Sequence, residues 1–333
     1  MRRLLLTGDW HLNDNPRDAY RWGAVEQIAK LARKHAITDM FVLGDLTDKA
    51  GGHSDLFVNR TVELLARLAS SFDVHILRGN HDASDPAVPF FRFVNAIKGC
   101  RFITEVEHWL RDDYRVMLIP NGCWPTPLHA DGFDAVYTHH TFAGAQGEHD
   151  FRLHGLRLPL SDVPIFSGDV HVPQRQGTVT YIGAPTLIKF GDSYQPRVLL
   201  VDVTAGSQPL YRSFSIVGPT KRLVEVVAYP DGRIAWPRGE VNKGDLVKVR
   251  VSFEGEIPSL AHLRADVGDH IKRLGGVLHA IDAVDPQRTT ATPRRPVSRS
   301  DTDLVRQYAS AHHLNKDVTK AGLDIVKGDR AQH

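Results

Sequence analysis

Five short segments carry most of the residues in this chain that could do chemistry together: Gly8-Asp9-Trp10-His11, Gly44-Asp45, Gly79-Asn80-His81-Asp82, His139-His140 and Gly168-Asp169-Val170-His171. Each directly follows an apolar run of strand length, at residues 4–6, 40–43, 74–77, 135–137 and 165–166. In an open α/β sheet, sites form beyond the carboxyl ends of the strands, so the five segments can meet in one crevice. Their side chains are Asp, His and Asn without a thiolate, the ligand set of a hard to borderline divalent cation. Singly, each has an ordinary reading. Asp9 caps a turn, Gly44-Asp45 is a common turn dipeptide, and His139 or His140 is a satisfied core histidine. Gly79-Asn80-His81 is the least ordinary, since such a triplet arises by chance in roughly 0.03 of shuffled chains of this composition. The conjunction of five segments in order, each after a strand, is what points to a site.

The elements that must position these residues are legible around them. A chain of 333 residues with 42% hydrophobic and 24% charged residues reads as an ordinary globular protein of two or three domains, which excludes disordered, collagenous and membrane classes. Over residues 1–205, strand-length runs alternate with two amphipathic helices, residues 22–35 and 56–70, as in a layered α/β domain. Residues 210–287 read as a small unit with a strand at 247–253, a helix at 257–274 and a strand at 277–284. Residues 288–333 read as a linker with Arg294, Arg295 and Arg299, followed by a helical tail over 303–327. Formal charge divides unequally, −3 over residues 1–205 and +5 over 206–333. Cys100 and Cys123 form no metal or redox motif. With no apolar stretch of spanning length and no signal-peptide core, a reduced cytoplasmic protein is expected, with no membrane association.

The ordered motifs resemble the calcineurin-like metallophosphoesterase superfamily, whose signature runs D-x-H, G-D, G-N-H-D/E, H and G-H-x-H; the match covers residues 4–185. Asp9, His11, Asp45, Asn80, His81, His139 and His171 fall on the family's positions, while Asp169 stands where the first histidine of the last motif is usual. Within the superfamily, Asp9-Trp10-His11-Leu12, Gly44-Asp45-Leu46-Thr47-Asp48 and Tyr181-Ile182-Gly183-Ala184-Pro185 with Phe190 are similar to the SbcD-type DNA double-strand-break nuclease subunit of bacteria and phages. Those nucleases often carry a histidine where Asp48 stands, and His53 is the nearby substitute.

The resemblance implies a layered metallophosphoesterase α/β domain with a small α+β capping domain and a helical tail. It implies two divalent ions, Mn²⁺ first and Mg²⁺ second. Asp9, His11, Asp45 and His171 would hold one, Asp45, Asn80, His139 and Asp169 the other, with Asp45 bridging. His81, oriented by Asp82, would stabilise or protonate the leaving oxygen, and His140 would either contact phosphate or pack. The implied substrate is DNA, as double-stranded ends or single strands, and the implied partner is an SbcC-type coiled-coil ATPase bound through residues 303–327. Relatives act as dimers, although no dimer helix is legible here. The alternatives are a phosphoesterase acting on a small nucleotide or phosphoprotein, and a non-catalytic scaffold subunit.

Overall fold

The computed structural model describes residues 2–85, 87–148, 151–237, 239, 241–255, 260–284 and 319–320. Strands β1 (Arg2–Thr7), β2 (Asp39–Val42), β3 (Asp73–Leu77) and β4 (Cys100–Ile103) run parallel, with helix α1 (Tyr20–Lys34) between the first two and α2 (Asp55–Ala69) between the next two. A second sheet contains β5 (Glu107–Arg111), β6 (Tyr114–Ile119), β7 (Ala135–Thr138), β8 (Ile165–Ser167), β9 (Gln174–Gln176) and β10 (Val179–Tyr181), in the order β5-β6-β7-β8-β10-β9. The chain then returns to the first sheet with β11 (Arg197–Val203), antiparallel to β1, and β12 (Leu210–Ser215), giving the order β12-β11-β1-β2-β3-β4.

The unbroken apolar runs follow from this layering, because a sheet covered on both faces has no polar side to alternate with. In β1, Leu4 and Leu6 pack against Tyr114, Val116, Leu118, Tyr137 and Phe166 of the second sheet, whereas Leu5 faces α1 and α2 with Met40, Val42 and Ile76. The outer face of the second sheet, with Ile119, Val136, Ile165 and Tyr181, is covered by Phe142 and Ala145 from the segment after β7. Successive residues of one strand thus serve two cores, and the two sheets are fixed against each other at the ends from which the polar segments emerge.

A four-stranded sheet follows: β13 (Lys221–Ala228), β14 (Ile234–Ala235), β15 (Leu246–Phe253) and β16 (Val277–Val284), ordered β14-β13-β15-β16, with α3 (Leu260–Arg273) between its last two strands. Val247, Val249 and Val251 bury one face against Leu263, Val267 and Ile271 of α3. Residues 210–215, expected in this small unit, belong instead to the first sheet. Gly206, with φ of 70°, permits the tight turn that folds β12 back antiparallel on β11. The Arg-rich segment around Arg294, Arg295 and Arg299 and the tail over 303–327, apart from residues 319–320, lie outside the described residues. Among the described residues, no helix is long and apolar enough to cross a membrane.

Candidate metal centre

The carboxyl ends of β1, β2, β3, β7 and β8 bring all five polar segments to one edge of the two-sheet sandwich. The first two are stitched together by main-chain hydrogen bonds, Asp9 N to Gly44 O at 2.9 Å and His11 N to Asp45 O at 3.0 Å. Asp9, His11, Asp45 and Asp169 all have left-handed backbones, with φ of 51°, 45°, 52° and 73°. Such conformations cost on the order of 1 to 3 kcal/mol each for a residue with a Cβ and persist where surrounding structure enforces them. Gly44 and Gly79 are among the motif glycines dictated by contact. A Cβ on Gly79 would stand 2.1 Å from Asp45 Oδ1, and one on Gly44 would stand 2.1 Å from His139 Nδ1.

The ligand atoms of Asp9, His11 and His171 lie within 4.8 Å of one another, as do those of Asp9, Asp45 and His139, and those of His11, Asp45 and His81. Asp9 and Asp45 therefore sit between histidines on several sides. Asn80 Oδ1 is 2.8 Å and Asp45 Oδ1 is 3.3 Å from His139 Nε2. Asp169 lies at the margin of this group. Its Oδ2 accepts from Thr141 Oγ1 at 2.6 Å, and its Oδ1 is 3.7 Å from His139 Nε2.

The ligand set fits a cation, because side-chain acceptors converge here in excess of the donors that face them. His139 Nδ1 donates to Leu43 O at 2.6 Å, which in the neutral ring leaves a lone pair on Nε2 facing two oxygens. His171 Nδ1 donates to Glu148 Oε1 at 2.7 Å, and its Nε2 lies 3.1 Å from His11 Nε2, whose own Nδ1 is 3.4 Å from Asp48 Oδ1. Two imidazole lone pairs at that separation repel unless a proton or a metal ion lies between them. Among the described residues, nothing forms a hydrogen bond with the buried Asp9 Oδ2. Protons take up this excess when cations are lacking. Burial pushes Asp9 up to about 6. For His139, burial favours the neutral ring, but the charges of Asp45, Asp169 and Asp9 outweigh it and raise its pKa well above the usual value. For Asp45, burial acts upward, and His139, His11 and His81 together outweigh it and hold the carboxyl well below its usual range.

Two side chains, Asp82 and His53, depart from the sequence-based expectation, and His140 takes one of the two readings open to it. Asp82 does not orient His81. Its buried carboxylate accepts from Gly79 N at 2.7 Å and Thr47 N at 3.1 Å, tying the second and third segments together, and burial with the charge of Asp45 raises it to about 7. The His81 ring is held instead by the main-chain oxygen of Asp48, 3.0 Å from Nδ1. His140 packs: Gly122 N donates to its Nε2 at 3.1 Å and Thr138 Oγ1 lies 2.7 Å from its Nδ1, while burial and His139 lower its pKa to about 4. His53 does not replace the missing histidine. Its ring stacks on Phe57 at 5.0 Å and tilts against Phe90 at 4.8 Å, among hydrophobic neighbours. Sequence reasoning also missed Glu148, which sits in an irregular segment without a motif, and the contact of Asp48 with His11.

Because Asp9 and His139 hold protons that a cation must displace, divalent-metal affinity is expected to rise as the pH climbs through about 6, where Asp9 ionises, and to go on rising until His139 has also lost its proton. Calorimetry with Mn²⁺ in buffers of different ionisation enthalpy reads both the affinity and the protons released. Binding that ignored pH and released no proton would contradict this assignment.

No curated protein matches the chain. Among solved structures, Yfce, a phosphoesterase from E. coli, is similar at 16% identity over 65% of this chain and 100% of that one, with a TM-score of 0.34. Nuclease MPE of Pseudomonas putida is similar at 13% identity over 62% of this chain and 87% of that one, with a TM-score of 0.31. The family described as calcineurin-like phosphoesterase matches residues 2–201, which build the second sheet, the first sheet except for β12 and the end of β11, and every segment of the metal centre. With more than half of its length matched, the chain belongs to the calcineurin-like phosphoesterase family, whose members hydrolyse phosphoester bonds.

Proposed function

We propose that this chain is a metal-dependent DNA nuclease, hydrolysing phosphodiester bonds with two divalent cations and working with an SbcC-type ATPase in DNA end processing. The observation that carries the hydrolytic half is the convergence of buried acceptors around Asp45, with His81 beside them. Asp9, His11, Asp45 and His171 would hold one ion, and Asp45, Asn80, His139 and Asp169 the other. Bound cations supply positive charge against the phosphate oxygens and acidify water.

The remaining work falls to side chains. Asp45 Oδ1 accepts from His81 N at 2.9 Å, so the carboxylate that would serve both ions also fixes the backbone of the candidate acid. The Asp48 main-chain oxygen, an acceptor only, places the proton on His81 Nδ1 and leaves Nε2 to hold or give a proton at the leaving oxygen. The ring stands edge-on to His11, with centroids 4.9 Å apart.

DNA as substrate is supported by the motif resemblance and by the small domain beside the centre. Arg17 Nη1 donates to His279 O at 2.5 Å, Lys221 Nζ donates to Ile188 O at 2.9 Å, and the Phe190 and His279 rings lie 4.9 Å apart. A small phosphoester needs no such second body. The ATPase partnership rests on the sequence of residues 303–327.

Three outcomes test this reading. Asp45→Asn is expected to lose metal binding and cleavage together, whereas His81→Ala keeps its metal and loses about 100-fold or more in rate; Mn²⁺ occupancy and cleavage of linear single-stranded DNA measure both. Full activity in His81→Ala would remove that residue from the chemistry, and wild-type cleavage of a chromogenic phosphodiester but not DNA would favour a small substrate. Asp169→His, at a backbone that histidine tolerates, is expected to shift activation from Mn²⁺ or Mg²⁺ toward Zn²⁺, and an unchanged metal preference would remove Asp169 from the ligand set. Deleting residues 300–333 is expected to abolish co-purification with the ATPase while metal-dependent cleavage persists; undiminished co-purification would reject the tail as its binding segment.

A further inference from the structure

We propose that Glu148 is a positioning residue of the metal centre, holding His171 with its proton on Nδ1 and its Nε2 lone pair toward Asp9 and His11. This rests on the metal reading above. Glu148 Oε1 lies 2.7 Å from His171 Nδ1, and an ionised carboxylate only accepts, so the proton belongs to the ring. Both side chains are only 13% exposed, which protects the bond from competing water. The other oxygen, Oε2, accepts from Lys189 Nζ at 3.0 Å.

The segment that delivers Glu148 is anchored. Gly147 N donates to Phe151 O at 2.7 Å, closing the tip of the loop. Gln146 exchanges two hydrogen bonds with Gln174, its N donating to Gln174 Oε1 at 2.7 Å and its O accepting from Gln174 Nε2 at 2.6 Å. Gln174 opens the strand that follows His171, so carboxylate and imidazole are braced by the same piece of sheet. The centre needs this because His171 Nε2 is 3.1 Å from His11 Nε2. In the other tautomer a hydrogen would occupy the space where a cation must enter. On the His11 side the nearest carboxylate, Asp48, is farther away, at 3.4 Å. Glu148 therefore makes the shorter of the two histidine–carboxylate contacts. Partners of this kind commonly set metal affinity as well as ring orientation.

The test compares the full chain with Glu148→Ala and Glu148→Leu, which cannot accept the hydrogen bond, and with Glu148→Gln, whose amide oxygen can. Calorimetry with Mn²⁺ is expected to show about 10- to 100-fold weaker binding in the two non-accepting variants and recovery of most of it in Glu148→Gln. Nitrogen-detected NMR of the cation-free protein is expected to place the His171 proton on Nδ1 in the wild type and Glu148→Gln, and on a mixture of both nitrogens in the others. Wild-type affinity and an undisturbed Nδ1–H in Glu148→Leu would overturn the proposal. A wild-type chain that bound no Mn²⁺ would instead overturn the metal reading, while the tautomer measurement would still decide the role of Glu148. Should Glu148→Ala fail to fold, the Leu and Gln pair carries the same comparison.

Discussion

Asp9 and Asp45 are withdrawn from water where two sheets meet, with ligand atoms within 4.8 Å of each other and of His139. Like charges at that separation repel by about 3.5 kcal/mol at an effective dielectric of about 20, before any penalty for burial. Among the described residues, the ion-pair partners of Asp45 are histidines rather than lysines or arginines. A histidine adds positive charge only when it keeps a proton, and a protonated Nε2 cannot bind a metal. Much of the local architecture follows from that one electrostatic deficit, which protons relieve in part and divalent cations relieve fully.

Concentrating so many acceptors demands backbones that approach closely. Each strand must end in a turn sharp enough to point its first polar side chain inward, and four of the residues at those turns accept left-handed conformations to do so. Gly44 and Gly79 admit His139 and Asp45 where any Cβ would collide. These demands are met only on a rigid support, which the double burial of β1, β2 and β7 supplies. Asp82, which looks catalytic from its place beside His81, serves this support by joining two of the turns.

What was legible in the sequence followed from this arrangement. Apolar runs served by two cores are conspicuous, and the glycine that opens four of the five polar clusters marks a steric demand, so strands and strand-end residues could both be read. The small unit was legible as strand, helix, strand because Val247, Val249 and Val251 alternate toward one face of its sheet. Partners brought in across the fold were not legible. Glu148 is 23 positions from His171 and carries no motif, and the Asp48 contact with His11 depends on how the β2 end packs on the β1 end. His140 could not be read either, since the same dipeptide is compatible with a ring that faces phosphate and with one whose two nitrogens are both satisfied internally. Strand β12 has a turn signal in Gly206 but an exposed, mixed composition that periodicity does not single out.

The division of charge along the chain acquires a different meaning once the centre is built. The −3 of residues 1–205 includes Asp9, Asp45 and Asp169, and two dications would more than cancel those three carboxylates. With metals bound, the edge of the sandwich would carry positive charge, and residues 206–333 add +5 to the sum for the chain. The loop after β10 links the two parts physically: Lys189 pairs with Glu148 beside His171, Ile188 accepts from Lys221, and Phe190 lies against His279. Any attraction of this surface for a polyanion would therefore be set by the same ions that would perform the hydrolysis. A near-neutral total of +2 does not count against a nucleic-acid substrate, because the unfavourable part of that sum is the part the metals neutralise.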